Sequence, residues 1–242
     1  KYGDFVMQTE NVVGEIQSAL KRIKADQNTM IIFTSDNGCS KAAGINKLAE
    51  QGHVVSADLR GSKADLWDGG HRIPFIVKWP GKVKPGSESD QLICLTDLFA
   101  TMTDLLGQKA LENGAEDSVS FLPALHGKKI VSTRKGVIHH SISGHFAYRQ
   151  GPWKLLLAKA SGGWTSPREK QAPAGSPPGQ LYNMSTDLGE KKNLFKEKPE
   201  MVASLLALLE KDIKRGRSTK GPKSKNDFND IKIWKSGQPK KK

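Results

Sequence analysis

The chain has 242 residues, 36% hydrophobic content and a formal net charge of +13, enough apolar material for one domain or a domain and a half. No stretch approaches the roughly 18 to 20 consecutive apolar residues of a membrane-spanning helix, which excludes that class and predicts a soluble chain. The charge sits mostly at one end: residues 211–242 hold twelve Lys or Arg against three Asp, leaving only +4 before them, and this argues against specific nucleic-acid recognition by the body of the chain.

In chain order, Val12, Val13, Ile16, Leu20 and Ile23 recur at helical spacing, so residues 9–25 predict an amphipathic helix with Thr9 near its N-cap. Met30 to Phe33 is a short apolar run ending in small polar residues, the pattern of a buried strand. Residues 38–62 lack sustained periodicity and carry Gly44, Gly52 and Gly61, which predicts a long functional loop. Ile73 to Trp79 predicts a second buried strand, stopped by Pro80-Gly81. Residues 96–106 predict a helix with Thr96 as a possible cap and Gly107 at its end.

Beyond residue 130 the pattern changes to short strands near 136–140, 145–150, 152–158 and 179–183, interrupted by a Gly/Pro/Ser-rich insertion at 161–179. Asp187 to Glu190 turns the chain toward a helix at 199–214. Four short strands and a helix predict an antiparallel sheet covered on one face. The organisation expected is an α/β part over 1–128, a small α+β subdomain over 129–215 and a basic, solvated tail over 216–242 that could also bind polyanions.

Chemistry concentrates in two segments. Ile31-Ile32-Phe33-Thr34-Ser35-Asp36-Asn37-Gly38 delivers a carboxylate and an amide oxygen side by side at a strand end, where open α/β sheets bind ligands. These are hard donors suited to Ca2+ or Mg2+, though two cannot complete a calcium shell of about 6 to 8 oxygens. Leu59-Arg60-Gly61-Ser62-Lys63 then runs into Asp68-Gly69-Gly70-His71-Arg72-Ile73-Pro74, adding a cation to face an anionic substrate. Taken alone, Asp36-Asn37-Gly38 is equally a turn motif and Lys63 an ordinary solvated lysine.

Together the segments resemble the sulfatase family, whose pattern is a strand, Ser-Asp-Asn-Gly, a variable loop, Gly-x-Lys, Glu-Gly-Gly-x-Arg-x-Pro, and a strand ending in Trp-Pro-Gly. Ile73 to Gly81 completes that run here, with Asp68 where the family usually has Glu. The resemblance implies an alkaline-phosphatase-like α/β core, incomplete, followed by a smaller C-terminal antiparallel sheet with a packed helix. It further implies Asp36 and Asn37 as ligands of Ca2+ in preference to Mg2+, Lys63 as a catalytic contact to a sulfate oxygen, and a sulfated small molecule or glycan as substrate. A periplasmic or extracellular location follows from the same resemblance.

The family's nucleophile arises in a Cys-x-Pro-x-Arg or Ser-x-Pro-x-Arg segment. Cys39 and Cys94 lie in no such segment, so the chain resembles the carboxyl-terminal part of a sulfatase and is expected to be inactive by itself. Among lesser candidates for substrate binding, His71 either faces the pocket or packs, and Arg72 either pairs with Asp68 across the turn or touches substrate. His145 belongs to a group with His139 and His140, of which adjacent members would point to opposite faces of a strand. Trp153 reads as core and Trp164 as loop packing, with sugar stacking as the alternative for Trp164. Two rival functions remain: a phosphate or phosphonate ester hydrolase of the same superfamily, and a non-catalytic binder of sulfated polymers.

Overall fold

A computed structural model describes residues 2–109, 111, 113–132 and 134–235. The first element is α1 (Tyr2–Arg22), followed by β1 (Ile31–Thr34), α2 (Ile45–Glu50), α3 (Asp68–His71), β2 (Phe75–Lys78), α4 (Asp97–Leu105) and α5 (Leu122–Leu125). The second part contains β3 (Val137–His140), β4 (Phe146–Gln150), β5 (Trp153–Leu156), β6 (Gln180–Asn183) and α6 (Pro199–Arg215). Among the described residues no helix is long and apolar enough to cross a membrane.

The predicted first helix forms, but it starts seven residues earlier than expected. Thr9 is therefore interior, its hydroxyl donating to the Phe5 carbonyl at 3.0 Å rather than capping. No α1 residue is buried, and Phe5, Met7, Val12 and Ile16 of its apolar stripe are exposed. The loop after β1 is not featureless, since α2 interrupts it. In α4 Thr96 stands at the N-cap position as expected, though its side chain makes no capping bond. Asp97, the first helical residue, ties the helix to its surroundings, its Oδ2 accepting from the Cys94 amide at 2.9 Å and Oδ1 from the Val119 amide at 2.9 Å. A buried Arg134 grips both oxygens of the same carboxylate, at 2.8 and 2.9 Å.

β1 and β2 pair antiparallel, with Ile31 opposite Lys78 and Thr34 opposite Phe75. Antiparallel pairing has a useful consequence, because the chain leaves β1 and enters β2 at one edge. Everything between residues 35 and 74 projects from that edge, which places both motif segments at one end of the sheet.

The second sheet is an antiparallel meander in the order β3-β4-β5-β6. Side chains alternate across it as the pleat requires. Phe146, Tyr148, Leu155, Leu157 and Leu181 face α6 and pack against its buried Val202, Leu205 and Leu209. Ala147, Leu156, Ala158 and Tyr182 face the other way and pack against Leu66 and Trp67 from the motif segment. The sheet is thus covered on both faces, where the sequence reading anticipated one. The stretch 216–235, read as the start of a solvated tail, contributes Trp234 to the α6-side core, with Ile231 and Ile233 beside it. The end of that tail, 236–242, lies outside the described residues.

Candidate active site

The loop leaving β1 is stitched to the second motif segment by backbone hydrogen bonds. The Gly38 amide donates to the Gly70 carbonyl at 3.0 Å, and the Lys63 amide donates to the Cys39 carbonyl at 2.9 Å. Residue 63 is thereby held two positions along the chain from Asn37. Glycine is required at these crossings: a Cβ on Gly38 would come within 1.8 Å of the Gly69 carbonyl oxygen, and one on Gly69 within 2.3 Å of Gly61 O. Close packing, not positive φ, is what Gly69 and Gly70 provide.

The Lys63 loop is strained and braced. Gly61 has φ +80 and Ala64 φ +85, the latter in the left-handed region that a residue with a Cβ seldom occupies. The brace is Asp65, fully buried, whose Oδ2 accepts from the Ser62 amide at 2.9 Å. Its Oδ1 accepts from the amides of Trp164 and Thr165 at 2.8 and 2.9 Å.

A second brace joins this segment to the meander. Lys154 is wholly buried, and its ammonium donates to Asp68 Oδ1 at 2.6 Å and Glu190 Oε1 at 2.8 Å. Glu190 Oε2 accepts from the Asp68 amide at 2.6 Å. Arg60, stacked over Trp67 with its guanidinium carbon 3.7 Å from the ring centroid, donates to the Glu190 carbonyl at 2.8 Å. Burial pushes both carboxyls up. The Lys154 charge, with Arg149 and Arg72 behind it, outweighs burial at Asp68 and holds that group below its ordinary value, whereas Glu190 stays raised.

The lesser candidates fall in different places. His71 stacks on His139 at 4.2 Å between ring centroids, and its Nε2 is buried without a hydrogen-bond partner among the described residues. Burial, and then the Lys154 charge, lower the His71 pKa to about 4. Arg72 does not form the expected side-chain pair with Asp68, which is taken by Lys154; Arg72 is exposed and lines a hollow with Glu88, Asp90 and Gln91. His145 is buried, its Nδ1 3.2 Å from the Leu157 carbonyl oxygen. His139 turns inward and His140 outward, as alternation along β3 requires.

Asp36 is exposed and Asn37 half-buried, both at the open edge of the site. Their oxygens fit a hard cation. Among the described residues no group of three or more His, Cys, Asp or Glu could hold a metal ion.

The backbone bonds and glycine crossings join the Asp36-Asn37 loop to the Lys63 loop. Residues 1–108 match the sulfatase family model. They carry a sulfatase domain. An N-acetylgalactosamine-6-O-sulfatase of Bacteroides thetaiotaomicron is 36% identical over 214 residues, covering 86% of this chain and 41% of that protein. The N-acetylgalactosamine-6-sulfatase of Canis lupus familiaris is 30% identical over 169 residues, covering 70% and 31% respectively. A solved structure from work on metabolism of multiple glycosaminoglycans by Bacteroides thetaiotaomicron superposes with a TM-score of 0.73 at 34% identity, over 86% of this chain and 44% of that one. The fold is therefore that of the sulfatases, alkaline-phosphatase-like, and the chain spans less than half the length of these relatives.

The braces of this sulfatase segment were missed from sequence. Lys154 had a visible signal: it alternates with Leu156 and Ala158 on one strand face, so a lysine falls where the neighbours are apolar. Asp65 and Glu190 sit in loops and had none.

Proposed function

We propose that this chain supplies the electrostatic half of a sulfuric ester hydrolase. Asp36 and Asn37 would hold Ca2+, a hard cation that supplies polarisation of the sulfate group when bound. Lys63 would donate to a sulfate oxygen and stabilise the charge that gathers as the S–O bond to the alcohol breaks. The nucleophile of the reading is a formylglycine supplied by residues other than these, since neither cysteine lies in a maturation segment. By itself, the described chain would not turn over substrate.

The observation that supports the reading is the pair of backbone bonds, Gly38 to Gly70 and Lys63 to Cys39, which bring the backbone of the Lys63 loop to within two residues of Asn37. The substrate class proposed is a sulfated sugar, supported by the names of the N-acetylgalactosamine-6-sulfatases it resembles. An exported location belongs to the same proposal. The test is sulfate release by the full-length protein from N-acetylgalactosamine 6-sulfate. Asp36→Ala and Lys63→Ala should each lower kcat by about 10² to 10³; undiminished turnover in both would refute the assignment.

A further inference from the structure

The first residues of the 161–179 insertion, 161–168, lie along the two motif loops. The Leu66 amide donates to the Ser161 carbonyl at 2.8 Å, and the hydroxyls of Ser62 and Thr165 meet at 3.1 Å. Gly163 approaches so closely that a Cβ there would come within 2.3 Å of the Ala64 carbonyl oxygen. Trp164 is held at both ends of its backbone. Its amide donates to buried Asp65, and its carbonyl accepts from Lys41 and, at 3.3 Å, from Arg168. Lys41 belongs to the loop that carries Asp36 and Asn37, and Asp65 to the loop that carries Lys63.

Trp164, by contrast, is as a residue 39% exposed, among the large hydrophobic residues left in solvent. A large aromatic ring left in solvent on a backbone pinned from both sides loses little conformational freedom when an apolar surface stacks on it. A pyranose presents such a surface through the C–H bonds of its ring face. We propose that Trp164 forms a wall of the leaving-group subsite, stacking on the sugar ring whose sulfate is held by Lys63.

This inference rests on the sulfate-ester reading, and two measurements on the full-length protein separate them. One is KM for N-acetylgalactosamine 6-sulfate; the other is Ki for inorganic sulfate as a competitive inhibitor. Trp164→Ala should raise KM about ten-fold and leave Ki unchanged, while Trp164→Phe should keep KM within about two-fold. An unchanged KM in Trp164→Ala, or a parallel rise in KM and Ki, would overturn the wall. Should the wild type release no sulfate, or Lys63→Ala leave sulfate release and Ki untouched, the ester reading itself falls and takes the wall with it.

Discussion

Lys154 and Asp68 meet at 2.6 Å in the interior, one from a strand of the meander and the other from the first turn of α3. Their contact ties the small sheet to the segment that carries Lys63. Glu190 completes the arrangement by bonding both the ammonium and the Asp68 amide. With Arg149, its side chain 19% exposed, 3.6 Å from the second Asp68 oxygen, one buried and one half-buried cation balance two buried carboxylates. Such a cluster contributes little net stability over an apolar equivalent, yet it is costly to break from one side.

Lys154→Met should therefore destabilise the fold by about 3 to 5 kcal/mol, because it strands two buried carboxylates with one remaining cation. Urea denaturation followed by far-UV circular dichroism measures this. A loss below about 1 kcal/mol would show that the cluster is hydrated and does not join the two parts.

Glycine crossings give a sharper contrast. Gly38→Ala should cost more than about 2 kcal/mol, since its methyl would overlap a carbonyl oxygen that belongs to backbone and cannot swing aside. Gly14→Ala, where nothing lies within 4 Å, should instead stabilise α1 by about 0.5 to 1 kcal/mol. Thermal melts of the two variants beside the wild type decide the matter; similar shifts would remove the case that close approach selects glycine at position 38.

His71 makes stability depend on pH. Its folded pKa, about 4, lies below the ordinary 6.5, so the folded state resists a proton that the unfolded chain accepts. The stabilisation is complete above pH 6.5 and declines as pH falls toward 4; His139, lowered by burial and by His71, acts in the same direction. Glu190 works oppositely, its raised pKa favouring the folded state as pH falls. Comparing denaturation midpoints at pH 7.5 and 5 for wild type and His71→Gln isolates the histidine. The variant should lose less stability on acidification, and an equal loss would contradict the assigned burial.

Much of this was legible in the residues. The short strands expected near 136–140, 145–150, 152–158 and 179–183 and the helices expected over 96–106 and 199–214 lie close to where β3 to β6, α4 and α6 form, because apolar runs and turn residues record where elements begin and end. What stayed hidden was long-range pairing. Nothing local to Asp68 says that its partner is 86 positions away instead of at Arg72. Nor does an apolar stripe on α1 say that the described residues leave it uncovered.

Asp65 is the remaining hinge of the site, and its two oxygens can be tested separately. Asp65→Ala orphans three amides, those of Ser62, Trp164 and Thr165, and should free the insertion from the Lys63 loop. Asp65→Asn leaves a carbonyl oxygen for Trp164 and Thr165 but puts an amide group opposite the Ser62 N–H, which it cannot accept. Hydrogen exchange read residue by residue should accelerate at all three amides in the alanine variant and only at Ser62 in the asparagine variant. The amides of Leu155, in the middle of the meander, and of Leu181, which donates to Asn193 Oδ1 at 3.0 Å, serve as controls and should keep their protection in both. Unaltered exchange at Trp164 and Thr165 in Asp65→Ala would mean that Lys41, Arg168 and the Leu66–Ser161 bond hold the insertion without the carboxylate.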